Sequence, residues 1–325
     1  MAFVPHKSPM LGFKLQTALM TDAEAAVTEA EIVFPLRDGT DFKPKRAKEF
    51  YQGNAGNFER AHYFTSSLIS EGTINVPLVP GMLAATTPTA GSSLFKWLFA
   101  RAAADPFEGQ YATIFEYLGN EECWSFANCK CTGGGIKLDS GKTVDLSIKA
   151  LGGGVPQSGA VGDMFPDYAT AKWCDGKPYT FDGAEVKLST TTTVPATDLY
   201  TKSHGPEWDN MVLGADEAST IVYGRLGPYA LPNTAKTQWK GSFSRFFFDD
   251  DILDAYMSGT LEGSYQLIFK QGVTTGTLTF PRIVFSDGGW PSLPGSGMVM
   301  YDGVAFEALG GLGKPGAECF TWVES

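Results

Sequence analysis

The sequence predicts a mainly β chain of two tandem domains, each of short strands with a short α-helix. Three observations carry that expectation. Short runs alternate apolar and polar residues with the two-residue period of half-buried strands. A segment of roughly 150 residues recurs, long enough for each copy to own a core. Glycine reaches 38 residues while only 19% of the 325 residues are charged, a mixture that suits strands joined by turns better than a helical bundle. The hydrophobic fraction of 43%, with 13% aromatic, is enough to fill two modest cores.

The clearest alternation runs from Val144 through Asp145, Leu146, Ser147 and Ile148 to Lys149, with Ile136 and Leu138 alternating on the incoming side. Asp139-Ser140-Gly141 then reads as the tip of a hairpin. The assignment matters because Gly135 and Gly141-Lys142-Thr143 resemble a phosphate-binding loop. That loop needs four residues between its first glycine and the Gly-Lys-Thr, and a helix N-terminus after it. Here five residues, Ile136 to Ser140, intervene and a strand follows. Lys142 is read as a solvated turn charge.

The repeat is visible at an offset of 154, where QYATIFEY (110–117) meets SYQLIFKQ (264–271) and pairs Ile114 with Ile268. At the same offset FANCKCTGGG (126–135) meets FPRIVFSDGG (280–289), and a four-residue insertion then aligns Ala150-Leu151-Gly152-Gly153 with Ala308-Leu309-Gly310-Gly311. Upstream, the helical pattern SLFKWLFARA (93–102) matches DILDAYMSG (251–259), and EIVFPL (31–36) matches EVKLST (185–190). Both halves then read strand, long polar loop, strand, short helix, strand, strand, hairpin, strand. The resulting division is an N-terminal arm 1–23, a first domain 24–154, a linker 155–180, a second domain 181–313 and a C-terminal tail 314–325.

Other features point away from chemistry. The opening MAFVPHKSPMLGF has no basic start followed by an apolar run, and no stretch approaches 18 apolar residues, so neither an export signal nor a membrane span is expected. Cys123, Cys129, Cys131, Cys174 and Cys319 are odd in number and lack a paired metal spacing; His6, His62 and His204 are scattered. Buried structural thiols are the expectation, with no metal and no cofactor. Asp249-Asp250-Asp251 is read as a helix cap. No nucleophile elbow or metalloprotease signature is present, so no enzyme is expected. The long loops carry the remaining candidates. Lys43, Lys45, Arg46 and Lys48 cluster in 37–66, and Trp208, Tyr223, Tyr229 and Trp239 lie in 191–239. A net charge of −11 argues against nucleic-acid binding by the basic cluster.

The order GTINVPLVPGMLA (72–84), SSLFKWLFARA (92–102), then 109–154, then KPYTFDGAEVKLS (177–189) and a second copy resembles the two-domain tail tube proteins of long-tailed bacteriophages. The likeness covers most of the chain and rests on arrangement, not on one diagnostic motif. It implies that each copy is a tail tube domain, a β-sandwich or partial barrel of two packed antiparallel sheets with a short flanking α-helix, and that the inner sheets join around a ring into a barrel lining a pore. Single-domain members form rings of six, so a duplicated chain implies a homotrimeric, pseudo-hexameric ring. It further implies a virion protein assembled in the host cytoplasm. Expected partners are further copies of itself, a tape-measure protein, a tail terminator and distal tail or baseplate proteins. Genomic DNA would pass along an acidic lumen without specific binding. Lys43, Lys45, Arg46, Lys48, Trp208, Tyr223 and Tyr229 are the expected ring-stacking contacts. The rival reading is a β-sandwich binding protein for a receptor or carbohydrate, with the aromatic loop as its surface; a hydrolase on the same fold comes third. One consequence is immediate: Lys142→Ala is expected to leave folding and assembly unchanged and to abolish no nucleotide affinity. Calorimetric titration with ATP checks this.

Overall fold

A computed structural model describes residues 9–16, 29–51, 62–83, 93–99, 111–117, 123–139, 141–152, 156–165, 172–189, 197–199, 205–212, 231, 233, 237–246, 253–254, 257, 262–287, 291–292, 300–310 and 319–325. The chain is mainly β and its strands pair almost entirely antiparallel, as the alternation and composition indicate.

The first copy contains β1 (Met10–Leu15), β2 (Ile32–Pro35), β3 (Lys43–Tyr51), β4 (His62–Pro77), α1 (Ser93–Leu98), β5 (Ala112–Tyr117), β6 (Cys123–Lys137), β7 (Asp145–Gly152) and β8 (Gln157–Gly159). Next come α2 (Val161–Met164) and β9 (Lys172–Trp173). The second copy contains β10 (Ala184–Ser189), β11 (Thr197–Leu199), β12 (Glu207–Asp209), β13 (Gln238–Phe246), β14 (Glu262–Gln271), β15 (Thr274–Asp287), β16 (Pro291–Ser292), β17 (Met300–Ala308) and β18 (Thr321–Glu324). Leu253, Asp254 and Met257 are helical, at the place of α1 in the repeat; the aspartates read as their cap lie outside the described residues.

Two long strands, β6 and β15, organise everything else. The first half of β6 pairs with β5 and β8, extending an outer sheet in the order β9–β2–β1–β5–β6–β8. Its second half turns into another sheet beside β7, which continues to β4 and β3. The second copy repeats this plan: β11–β10–β14–β15–β18 form one sheet, and β15–β17–β13–β12 the other. β12 also pairs with β6, so the inner sheets fuse into one, ordered β3–β4–β7–β6–β12–β13–β17–β15.

This pairing corrects several boundaries. β1, in the segment taken as an arm, is a central strand held between β2 and β5. β10 lies on β14 as β1 lies on β5, so β1 is the counterpart of β10, and β2 that of β11. β8 in the linker and β18 in the tail are counterparts too, since each lies on the first half of its long strand. The 154 offset holds for β6 and β15, whose bulges coincide. For β5 and β14, however, the ladder and its bulge match Ile114 to Tyr265, three residues from the sequence match. An odd shift moves a side chain to the other face; Ile114 and Tyr265 do share the core, whereas Ile268 is only partly buried. Likewise Gly152, not Ala150, stands where Ala308 does, because they face Cys129 and Ile283.

The core is shared. One apolar cluster runs from Phe13, Trp97 and Phe126 in the first copy to Trp239, Tyr265, Phe280 and Phe306 in the second, so the copies do not own separate cores. α1 is a small amphipathic plug: Leu94, Trp97 and Leu98 are buried, and the Trp97 indole N–H donates to the Cys129 carbonyl at 2.9 Å. Just past it, Phe99 packs 5.2 Å from Trp239 and 5.0 Å from Phe320, binding the helix of one copy to strands of the other.

A carboxyl group is buried in this apolar setting. Glu116 on β5 stands between Leu11 and Trp124 of the neighbouring strands, and burial pushes its pKa up to about 7. The raised value means that the neutral form favours the fold: its contribution is complete below the ordinary carboxylate pKa and is lost as pH rises through about 7. Glu116→Gln is therefore expected to match the native protein's stability at pH 4.5 and to exceed it at pH 8.5 by up to about 3 kcal/mol. Urea denaturation at the two pH values measures the difference.

Candidate assembly interface

The joint between the copies is one strand wide. β12 lies on β6 with Glu207 opposite Gly135, Trp208 opposite Gly134 and Asp209 opposite Gly133. The Ile136 N–H donates to the Pro206 carbonyl at 3.0 Å and the Asn210 N–H to the Thr132 carbonyl at 2.9 Å. These bonds set the phase: 206, 208 and 210 turn their backbone groups to β6, while Glu207 and Asp209 turn theirs to β13.

Glycine makes so close an approach possible. A β-carbon on Gly134 would stand 2.3 Å from the Ser147 carbonyl oxygen and 2.5 Å from the Trp208 ring, and one on Gly205 would stand 1.3 Å from the Ile136 carbonyl oxygen. The space is filled by Trp208, whose ring is centred 5.3 Å from Trp239 and 5.1 Å from Phe99. Each buried aromatic contributes about 1.5–3 kcal/mol of transfer free energy, and each tilted or edge-on ring pair about 0.5–1.5 kcal/mol more.

Polar groups lock the joint. The Asn210 amide donates to the carbonyls of Leu98 at 2.8 Å and Cys131 at 2.9 Å, and its oxygen accepts from Thr237 Oγ1 at 2.9 Å. Asn233 donates to the Asn210 carbonyl at 3.0 Å and accepts from Lys130 Nζ at 2.7 Å. Lys130 is buried, its ammonium 4.9 Å from the centre of the Tyr111 ring, and the Tyr111 hydroxyl accepts from the Leu231 N–H at 2.9 Å. A second tie joins the C-terminal strand to the first copy: the Glu324 carboxylate accepts from the Gly81 N–H and, at 3.1 Å, from the Tyr179 hydroxyl.

Of the expected stacking contacts, Trp208 is corrected. It is 3% exposed and sits in the chain's own core, because the segment carrying it pairs with β6. Tyr223 and Tyr229 lie outside the described residues. Lys43, Lys45, Arg46 and Lys48 lie on β3, and within 37–66 β3 pairs with the start of β4 as a β-ribbon, so the basic cluster is on a strand and not in a loop. Prolines and lysines hid the strand. Lys43 and Lys45 are exposed, and a hydrogen bond from Lys45 to the Glu71 carboxylate raises the lysine pKa. The joint residues Gly133, Gly134, Asn210, Asn233 and Lys130 were not singled out from sequence. Three glycines inside an alternating strand were the available signal for close backbone approach.

The face of the fused sheet turned from the core carries both signs. Asp145, Glu207, Asp209 and Glu307 alternate with Lys137, Lys149 and Lys240. Around the near-miss phosphate loop, Gly141 has φ of +73° and the Lys142 N–H donates to the Asp139 carbonyl at 3.1 Å, which closes a turn leading into β7. Lys142 Nζ lies 3.1 Å from Asp139 Oδ2 with both side chains exposed. Cys129 and Cys131 are core residues; burial pushes the Cys131 thiol up to about 12 and raises that of Cys129 as well. Among the described residues no group of three or more His, Cys, Asp or Glu gathers to hold a metal ion, and no helix is long and apolar enough to cross a membrane.

Compared with known protein families and with characterised proteins, the chain matches none. The joint gives a direct test: Gly134→Ala is expected to unseat Trp208 and lower stability by about 1–3 kcal/mol. Its urea midpoint should fall and its tryptophan emission shift to the red, whereas alanine at Gly162, an open position on α2, should do neither.

Proposed function

We propose that the chain is a structural building block that joins further copies of itself edge to edge into a ring. The observation that carries this is the β6–β12 pairing: two copies of one domain already share a continuous sheet within the chain, head to tail. Such a contact is heterologous, and heterologous contacts either close into rings or run on as open filaments. Among the described residues β3 at one end of the sheet has β4 as its single neighbour. An exposed strand edge of this kind is an aggregation hazard that a ring removes.

The particular reading is a tail tube protein of a long-tailed bacteriophage, carrying out no reaction. Three chains supply six domains to a ring, rings stack into a tube, and the tube conducts the genome. A tape-measure protein, a terminator and distal tail proteins meet its ends. If the solvent face of the fused sheet lines the pore, its lysines stand among carboxylates, as Lys45 stands beside Glu71. A cation already neutralised has few counterions to release from DNA, so the polymer passes without being held. The rival binding-protein reading drew on aromatic residues in 191–239, of which Trp208 and Trp239 are buried.

Electron microscopy of the purified protein tests the proposal. Annular rings or tubes are expected, with three chains and six similar lobes around an open centre. Discrete single-chain particles at every concentration, or six whole chains per ring, would overturn it.

A further inference from the structure

The two ends of the fused sheet stand to each other as the two sides of the internal joint do. β6 has a bulge between Cys131 and Gly133, and β15 has one between Phe285 and Asp287, at the 154 offset. On one edge of β6, β5 reaches only to Cys129 and β12 takes the edge beyond the bulge. On the matching edge of β15, β14 reaches only to Val284, and among the described residues no strand follows it. In sequence, Gly134-Gly135 and Gly288-Gly289 also match at this offset.

The partner strand follows from the ladders. Val304 and Ile148 are equivalent on β17 and β7, so their neighbours Phe243 and Ile74 are equivalent on β13 and β4. Trp239 then matches Ser70, and their own partners, Trp208 and Pro44, match in turn. By the same count Asp209 matches Lys45, and Asn210 matches Arg46.

We propose that the outer edge of β3 docks on β15 of a second copy, with Lys45 opposite Asp287 and Arg46 opposite Ser286, in the register that β12 keeps on β6. This rests on the ring-forming reading and names the residues of its closing contact. The register sets a lysine across from an aspartate, a favourable cross-strand pair where like charges would oppose docking. It also gives Pro44 a role. The Asp41 N–H donates to the Thr73 carbonyl at 2.9 Å, so 41, 43 and 45 turn their backbone groups to β4 and Pro44 turns its nitrogen outward. At the place where Trp208 offers an N–H to the neighbouring strand, Pro44 has none. The closing contact is thereby one ladder bond short of the internal joint, and the edge is shielded from indiscriminate strand pairing.

The test uses full-length chains carrying Lys45→Cys or Asp287→Cys, prepared separately, checked for native circular dichroism, then mixed and oxidised. The two positions form a non-hydrogen-bonded pair with Cα atoms about 4.5 Å apart, within disulfide reach. A disulfide-linked dimer is expected in the mixture, forming faster than the one between Arg46→Cys and Ser286→Cys, a hydrogen-bonded pair at about 5.5 Å. Rings or tubes without the 45–287 link would overturn the register and leave the ring-forming reading standing. Chains that stay single and unlinked at every concentration would overturn both. Pro44→Val should lower the threshold concentration for assembly, read by light scattering, about five-fold by restoring one hydrogen bond. An unchanged threshold would remove Pro44 from the contact and overturn the register.

Discussion

The structure depends on one close approach, that of Trp208 to Gly134. Because Gly134 has no side chain, the ring of Trp208 lies against the backbone of β6 and reaches the aromatic cluster of Phe99 and Trp239. Remove that approach and β12 loses its place; without β12, the inner sheets of the two copies have no strand in common. The polar lock follows from the same contact. Once β12 is seated, Asn210 falls within reach of the Leu98 and Cys131 carbonyls, which would otherwise be buried without that partner.

Much of the fold was legible in the sequence, for local reasons. Alternation from Val144 to Lys149 and the Asp139-Ser140-Gly141 tip gave the hairpin, and the structure has β7 and a positive-φ Gly141 there. The strands around the helix were legible in both copies, since β4, α1, β5 and β6 recur as β13, a helical stretch, β14 and β15, whereas β1, β3, β11 and β12 were missed. What escaped was strand partnership. β2 is a short apolar run and β10 a short alternating one, and nothing within either says which neighbour it meets; the ladder matches β10 to β1. A three-residue slip between β5 and β14 preserved the apparent match of Ile114 to Ile268 while reversing the face. The joint was hidden for a related reason. Gly133, Gly134 and Gly135 are conspicuous only when it is known that another strand, some 70 residues further on in sequence, comes to lie on them.

The two copies differ where one meets the other. Trp208 and Pro44 occupy one topological position, yet Trp208 is buried in an aromatic cluster while Pro44 is exposed on a sheet edge. Lys130, Asn233 and Asn210 bind the second copy to the first through groups that are all buried. A buried, fully engaged polar network admits few alternative arrangements, so it fixes an angle where an apolar contact alone would allow sliding. The core residues around Ile114 and Tyr265 have changed in size but not in kind, since packing constrains volume more than identity.

That contrast decides how assembly and folding relate. The internal joint draws on several buried rings, each worth about 1.5–3 kcal/mol in transfer free energy, whereas an edge contact of a few residues offers ladder bonds of about 1 kcal/mol each and exposed ion pairs worth less. The joint therefore forms with the fold, whereas the edge contact proposed between chains would need copies that are concentrated or templated. A rigid joint made first would also set the geometry for the proposed contact. If the contact between chains repeats the register of the contact within them, the rotation from one domain to the next is already specified by Trp208 on Gly134. Ring size is then a property of the internal joint, and the weaker edge needs only to reproduce a curvature that the folded chain already contains.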